Sequence, residues 1–290
     1  MVTSKRHHYL PQFYLKGFTD DKNEFYIFDK KLETIRKSTP LNSFFENHRN
    51  TAIVKDERFS FLEEVYARYD GLISAQLDKI RKSSHNNFNL GDETLFRIKT
   101  FIAQMYWRVP KSDAEIEFLI DNLSFSETGF DIKDTTGQSV VTKELQEQLK
   151  NIDLFRKMYR IFIPFMTSHL RKTKTDSEDW KVYFRKEKYN LTGDTPLIIK
   201  EFVDFDSLNE ELFFPISSDR MIVHTKQPKP KELPRQFMLM MDLLVIQQST
   251  RFVCCADKEY LEFLVQNFYS ISKGQDVNEQ IKENLFSYFK

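Results

Sequence analysis

A regular spacing of apolar residues between positions 57 and 82 constrains the fold of this chain more than any other feature. Large apolar side chains recur there at intervals of three and four residues: Phe59, Leu62, Tyr66, Tyr69, Ile73, Leu77 and Ile80. Such intervals place these side chains on one face of an α-helix. The sequence therefore predicts a long helix over 57–82 that buries one stripe against the rest of the protein.

Helical and strand patterns follow one another along the rest of the chain. Further helices are predicted over 92–109, 112–123, 142–150, 153–172 with a kink at Pro164, 235–249, 257–267 and 277–289. Strands are predicted over 25–28 and 34–35, as a hairpin, and over 180–184, 197–199 and 221–223. Loops are expected at 124–137, at 214–220 and in the proline-rich segment 227–234.

These patterns predict an α+β fold that is predominantly helical with small antiparallel sheets. We expect a single domain over residues 1–290, because the length suits one large domain. Its helical middle would span about 57–173, its β-rich segment about 178–225 and its C-terminal helices about 235–289.

The composition excludes several classes of protein. With 28 Phe and 12 Tyr, the chain has enough large apolar side chains to fold rather than stay disordered. Basic and acidic residues number 43 each, so no overall positive field attracts nucleic acid, and any such binding would be local. The only two cysteines, Cys254 and Cys255, are adjacent, which predicts reduced thiols and a cytoplasmic location rather than a disulfide framework.

Familiar targeting and cofactor motifs are absent from the sequence. No apolar run approaches the ~20 residues that a membrane span requires, and no signal peptide is recognisable. The glycine-rich nucleotide loops, the zinc-protease motif and the serine-hydrolase motif are also missing. We therefore expect no membrane association and no nucleotide or organic cofactor.

Adjacent histidines lie beside an aromatic cluster near the N-terminus. In an extended segment His7 and His8 must point in opposite directions, so one of them can face a site as a general base or a metal ligand. The alternative is a polar anchor for the N-terminal segment, in which the neighbouring aromatic residues pack into the core.

Carboxylates on the first long helix and an arginine at the end of the second are further candidates. Glu63 and Asp70 are two helical turns apart, about 10 Å along one face, which suits metal ligation or simply a solvated helix surface. Arg108 can clamp a phosphate or a carboxylate, or it can interact with the C-terminus of its own helix.

An aspartate in a turn of small residues is the last candidate. Asp194, in the segment Gly193-Asp194-Thr195-Pro196, is predicted to lie at the mouth of a strand. A carboxylate in that position is a metal or catalytic ligand in many sites, and it is also a good turn residue.

These regions together resemble a widespread, mainly bacterial family of domains of unknown function, over nearly the whole chain. The resemblance is carried by His7-His8-Tyr9-Leu10-Pro11-Gln12-Phe13-Tyr14-Leu15-Lys16-Gly17-Phe18, the Glu63 helix, the helix end at Gln104 to Pro110, and Asp194-Thr195-Pro196 followed by Phe214-Pro215-Ile216. The family turn reads Ser-Asp-Asn-Pro, and this chain departs from it at Gly193 and Thr195. The resemblance implies no established activity, but it suggests that His8, Glu63, Arg108 and Asp194 act as one constellation.

The first functional hypothesis is metal-dependent hydrolysis of a phosphate ester, with nucleic acid as the substrate. Glu63 and Asp194, with Asp70 as a third carboxylate, would bind Mg²⁺ or Mn²⁺. His8, with His7 beside it, would activate a water molecule, and Arg108 would offset charge on the phosphoryl oxygens. A bacterial defence or toxin role would suit such a protein, although no residue requires it.

The second hypothesis is a non-catalytic sensor or protein-interaction module. In that case the same residues form a buried polar network, with Glu63 paired to Arg108 or His8 to Asp194, that holds the N-terminal segment against the helices. Substitution of His8 by alanine would then lower the melting temperature, because a buried partner would lose its hydrogen bond. The substrate, the partner and the oligomeric state stay open.

Overall fold

The computed structural model describes residues 5–83, 88, 90–122, 131–167, 177–201, 210–271 and 277–289. Within these ranges the helices are α1 (Gln12–Leu15), α2 (Phe61–Lys82), α3 (Asp92–Trp107), α4 (Asp113–Asn122), α5 (Lys143–Lys150), α6 (Asp153–Thr167), α7 (Arg235–Gln248), α8 (Lys258–Ile271) and α9 (Val277–Ser287). Short 3₁₀ turns cover Lys16–Phe18, Pro40–Asn42, Pro110–Ser112 and Ser177–Asp179.

The strands of the described residues form small antiparallel sheets. They are β1 (Arg6–His8), β2 (Phe25–Asp29), β3 (Thr34–Ser38), β4 (Phe45–Asn47), β5 (Ala52–Val54), β6 (Glu57–Phe59), β7 (Trp180–Phe184), β8 (Thr192–Gly193), β9 (Ile198–Ile199), β10 (Leu212–Ser217), β11 (Arg220–His224) and β12 (Phe252–Cys255). One four-stranded sheet has the order β3-β2-β12-β8 and another the order β7-β11-β10-β9, while β1–β4 and β5–β6 are two-stranded. The predicted α+β class is confirmed.

Most of the elements predicted from periodicity are present. The predicted hairpin corresponds to β2 and β3, which pair from Phe25 with Ser38 to Asp29 with Thr34. The strand predicted over 180–184 is β7. The predicted loop over 124–137 and the predicted end of the helix at 172 lie partly outside the described residues.

The long helix α2 starts later than its apolar spacing predicts. It begins at Phe61, and Phe59 belongs instead to the hairpin of β5 and β6. Lys55 and Asp56 turn that hairpin with positive φ angles of 50° and 64°, so the chain folds back before the helix starts. The stripe is otherwise confirmed, since Leu62, Tyr66, Ile73, Leu77 and Ile80 are buried.

Two strands differ from the predictions: β10 replaces part of a predicted turn, and β12 was not predicted. The turn predicted over 214–220 is wrong for its first part, because Phe214 to Ser217 belong to β10 and the strand irregularity falls between Pro215 and Ser217. A bulge tolerates a proline that a regular strand would exclude. The central strand β12, which pairs with β2 on one side and β8 on the other, has no alternating pattern, because the consecutive residues Val253, Cys254 and Cys255 are all buried.

The thiols of β12 are expected to be poor nucleophiles. Cys254 and Cys255 are buried and free, and burial raises the pKa of both thiols, that of Cys255 to about 12. A thiol is a weak nucleophile when its pKa is this high. Within the described residues, no helix combines the length and apolar character that crossing a membrane would require.

The N-terminal aromatic residues are part of the main core. Tyr14 stacks on Phe214 with ring centroids 5.6 Å apart. Its hydroxyl is 2.8 Å from the Thr192 hydroxyl and donates to the Pro215 carbonyl at 2.9 Å, so it joins α1 to β8 and β10. This packing holds the start of the chain, including the two histidines, against the rest of the protein.

Candidate functional site

The two N-terminal histidines lie on a strand and point in opposite directions. In β1, His7 pairs with Glu46 and His8 with Phe45 of β4. His7 is completely buried, whereas His8 is partly exposed. The alternation predicted for an extended segment is therefore present, and His7 is the inward residue.

His7 is linked to α2 through an asparagine. The Asn50 backbone N–H donates to His7 Nδ1 at 2.9 Å, which places the ring proton of the neutral imidazole on Nε2. The Asn50 side-chain amide donates to Glu63 Oε1 in a short hydrogen bond. His7 Nδ1 and Glu63 Oε1 are 3.5 Å apart. Both are acceptors in this arrangement, so Asn50 bridges them and no ion pair is needed.

Arg108 and Asp70 form the second half of this N-terminal cluster. Arg108 Nη1 donates to both carboxylate oxygens of Asp70, at 2.9 and 3.1 Å, and Nε donates to the His8 carbonyl at 3.1 Å. The guanidinium lies 4.2 Å from the centroid of the Tyr66 ring. Burial raises the pKa of Asp70 and the charge of Arg108 opposes that rise. The partner of Arg108 is therefore Asp70 and not Glu63, which accepts a hydrogen bond from Asn50 instead.

His8 contributes mainly its backbone to this cluster. Its ring lies 5.6 Å from the ring of Phe45. Burial lowers the pKa of His8, and hydrogen bonding to the backbone of Leu41 and Pro40 partly opposes this. The Nε2 atom of His8 and the hydroxyl of Tyr66 are buried and have no hydrogen-bond partner among the described residues.

Asp194 has a different set of partners. Its carboxylate accepts hydrogen bonds from the Thr250 backbone at 2.7 Å, the Thr250 hydroxyl at 2.9 Å, the Arg251 backbone at 2.7 Å and the Phe252 backbone at 2.9 Å. Asp194 thus closes the turn that leads from α7 into β12. None of these bonds goes to the other predicted site residues.

The structure thus brings five of the six predicted residues together and leaves Asp194 apart. The five are His7, His8, Glu63, Asp70 and Arg108. In the described part of the chain, no three His, Cys, Asp or Glu side chains are grouped as a metal site requires. Each of the three predicted carboxylates already accepts hydrogen bonds from protein groups.

A second polar network lies under an open cavity of about 810 Å³. Arg185 donates to Asp242 at 2.6 Å and to the Tyr260 hydroxyl at 3.0 Å, and that hydroxyl donates to Asp242 at 2.7 Å. Asp242 also accepts from the Leu191 backbone at 3.0 Å. Both members of the ion pair are buried, with side chains 9% and 4% exposed for Arg185 and Asp242.

The electrostatics of this second network depend on Arg185. Burial raises the pKa of Asp242, and the Arg185 charge and its hydrogen bond oppose the rise. Burial also raises the pKa of Tyr260, with the Asp242 charge adding to it. Perturbed groups of this kind at the edge of a cavity are a recognised sign of a binding site.

The wall of the cavity is aromatic and apolar. Tyr260 stacks on Tyr189, with centroids 4.7 Å apart and an angle of 18° between the rings. Leu233, Met238 and Leu239, from the start of α7 and the segment before it, also line the cavity. Its rim carries the charged residues Lys186, Glu187, Glu232 and Arg235.

Sequence reasoning did not select this second region. Its one visible signal is Asp242, a single acidic residue within the apolar run over 237–246. A buried carboxylate needs a partner, so such an interruption indicates a paired charge. The partner itself is 57 residues away along the chain and belongs to no recognisable motif.

Comparison with known proteins identifies a family but no activity. A family model described as a protein of unknown function, DUF4238, matches residues 6–259. No curated protein and no solved structure matches the chain.

Proposed function

Because the chain belongs to the DUF4238 family of unknown function, we propose its role from its geometry: a non-catalytic sensor that binds a small ligand in the 810 Å³ cavity. The observation that carries this proposal is the contrast between an open cavity above Arg185 and N-terminal polar residues that bond to one another. In this proposal His7, Glu63, Asp70, Arg108 and Asp194 hold the fold.

The cavity has the size and lining of a small-molecule site. Ligand pockets typically measure ~300–1,000 Å³ and combine apolar walls with a few polar groups. Tyr189, Leu233 and Met238 would contact the apolar body of a ligand. On the rim, Arg235 pairs with Glu187, while Lys186 and Glu232 have no ion-pair partner among the described residues; of these, Lys186 would attract an anionic group.

The ligand class that fits is therefore a flat apolar molecule with one negative charge. The Arg185 guanidinium lies 5.3 Å from the Tyr260 ring centroid and is already paired with Asp242. Arg185 would hold the aromatic wall in place, while Lys186 on the rim would favour a negatively charged ligand. Aromatic contacts of this kind contribute ~0.5–1.5 kcal/mol beyond burial.

Binding of 2-naphthoate, measured by calorimetry and ligand-observed NMR, tests this proposal. Leu239→Trp fills the cavity and is expected to weaken binding about tenfold or more, which corresponds to ~1.4 kcal/mol. Leu72→Trp is the matched control, because Leu72 is exposed on α2 outside the cavity. No binding to the wild-type protein, or equal binding to the Leu239→Trp variant, would refute the proposed site.

Metal-dependent phosphate-ester hydrolysis is a second candidate function. The observation that favours it is the grouping of His7, His8 and Arg108, with His8 Nε2 and the Tyr66 hydroxyl buried without partners in the described residues. Calorimetry with Mn²⁺ and Mg²⁺, and cleavage assays on single- and double-stranded DNA and RNA, test it. Metal binding and cleavage that His8→Ala abolishes would replace the sensor proposal, whereas their absence would remove this candidate.

A further inference from the structure

A smaller cavity lies beside the segment that follows Asp194. Its volume is about 320 Å³, and it lies between the end of α3, α4, the segment after Asp194, the end of α7 and α9. The polar residues that line it are Lys111, Ser112, Glu115, Thr195, Gln248 and Lys282. Five separate parts of the chain thus meet around one polar space.

Most polar groups of the wall already have partners. The Ser112 hydroxyl donates to the Tyr106 carbonyl at 2.6 Å, and the Tyr106 hydroxyl donates to Glu115 at 3.0 Å. The Gln248 amide donates to the carbonyls of Thr195 at 2.5 Å and Leu197 at 3.0 Å. These bonds fix the wall and hold the segment after Asp194 against the end of α7.

Two ammonium groups and one hydroxyl of the cavity wall have no hydrogen-bond partner among the described residues. Among the described residues, neither Lys111 nor Lys282 has a hydrogen bond or an ion pair. Thr195 is 9% exposed, and its hydroxyl oxygen is buried with no partner in the described part of the chain. A buried donor without an acceptor is costly, so the Thr195 hydroxyl favours a ligand that accepts hydrogen bonds, while Lys111 is exposed and Lys282 is partly exposed on the same wall.

Charges of both signs act on the two lysines of the cavity. Partial desolvation lowers the pKa of both lysines, and the Lys111 charge adds to the effect on Lys282. Asp194 attracts Lys111, but its oxygens are already bonded to the 250–252 segment. Glu201 and Glu279 act on Lys282 from a distance without forming an ion pair with it.

Glu115 is the acidic group of the cavity wall. Burial raises its pKa, although the hydrogen bond from Tyr106 opposes the rise. Among the described residues, Glu115 forms no ion pair with either lysine. Two lysines and a single carboxylate line the cavity, so cations outnumber anions in its wall, while Asp194, Glu201 and Glu279 act on the lysines from outside that lining.

We propose that this cavity binds a small oxyanion, as the phosphate or carboxylate group of a metabolite, between Lys111 and Lys282 with the Thr195 hydroxyl as a further donor. Charge-assisted hydrogen bonds from two ammonium groups are the strong kind of contact for such a ligand. The ligand would connect α9 to the turn after α3. A ligand bound only by the folded state would also stabilise the protein.

Titration with inorganic phosphate and with malonate, followed by calorimetry and thermal melting, tests the site. The wild-type protein is expected to bind at least one of them saturably, and Lys111→Gln and Lys282→Gln should each weaken binding about tenfold. Lys79→Gln is the matched control, since it removes the same charge from the exposed face of α2. The preferred probe identifies the anionic group as phosphate or carboxylate.

Further variants separate binding from folding. Lys282→Arg keeps the charge and should retain most of the affinity, while Thr195→Val should weaken binding a few fold with an unchanged melting temperature in the absence of anion. Leu239→Trp should leave anion binding unaltered, because the two cavities share no lining residue. No saturable binding, or an equal loss in the Lys79→Gln control, would overturn the proposal.

Discussion

The N-terminal cluster and the Arg185 network are both buried polar arrangements, but they differ in what lies next to them. In the N-terminal cluster, Asn50 joins His7 to Glu63, and Arg108 binds Asp70 and the His8 carbonyl. The Arg185 network adjoins an open cavity of about 810 Å³. A concentration of chemically active residue types in the sequence is therefore a poor guide to where a ligand can enter.

The largest expected effect is the loss of the carboxylate that neutralises Arg185. Asp242→Ala leaves a buried guanidinium without its ion-pair partner, and breaking such a pair costs ~3–5 kcal/mol. Urea unfolding of the variant and the wild-type protein measures the difference in free energy of unfolding.

The matched change in the N-terminal cluster is Asp70→Ala, which removes the ion-pair partner of Arg108. The Asp70 side chain is 21% exposed, so water can reach the site, and the expected loss is smaller, ~1–3 kcal/mol. If Asp70→Ala destabilised the protein more than Asp242→Ala, the difference in burial between the two networks would not explain their energetics.

An intermediate effect is expected for the inward histidine. His7→Ala removes the acceptor of the buried Asn50 N–H and should cost ~1–3 kcal/mol, whereas His8→Ala should cost less, because its backbone makes the contact to Arg108. Melting curves of the two variants check this order. A larger loss for His8→Ala would show that its ring, and not its carbonyl, holds the cluster.

The smallest expected effect is a change in the pH dependence of stability. Because burial lowers the pKa of His8 below 6.5, the unfolded chain takes up a proton more readily than the folded protein as the pH falls. The neutral His8 therefore contributes its full stability above about pH 6.5, the pKa of the unfolded chain, and this contribution is lost as the pH falls towards the lower pKa of the folded protein. His8→Gln should make the free energy of unfolding less dependent on pH. Urea unfolding between about pH 7 and pH 5, the range in which histidine titrates, measures this.

His224 supplies the background for that measurement. Its pKa is lowered to about 4, chiefly by burial, and its ring stacks on Trp180 at 4.4 Å. It therefore contributes an acid loss of the same sign in both proteins, and the difference between them isolates His8. Identical pH slopes for the wild-type protein and the variant would contradict the expected role of His8 burial.

Local periodicity predicted many elements because its cause is local. The stripe of α2 and the β2–β3 hairpin follow from side-chain intervals within a few residues. Two predictions were wrong because strand pairing, which is not local, decided the structure: the helix start at residue 57 and the turn over 214–217. Glu57–Phe59 forms a strand by pairing with Ala52–Val54, and β10 pairs on both sides with β11 and β9.

The candidate site was predictable only in part. Residue types indicated that His7, His8, Glu63, Asp70 and Arg108 belong together, and the structure does bring them together. Their pairing was not predictable, because Asn50 carried no signal of its own and because Arg108 reaches Asp70 only when α2 and α3 pack. The two cavities left no pattern in the sequence, since each is lined by segments far apart along the chain.

The sequence by itself determined that this chain folds into long amphipathic helices with a few hairpins around an aromatic core, because hydrophobic periodicity acts over neighbouring residues. Tertiary structure alone decided which charges meet. Arg185 and Asp242 are 57 residues apart, and Lys111 and Lys282 line one cavity from opposite parts of the chain. Such contacts depend on how elements pack, and packing is set by burial of the whole core rather than by any one segment.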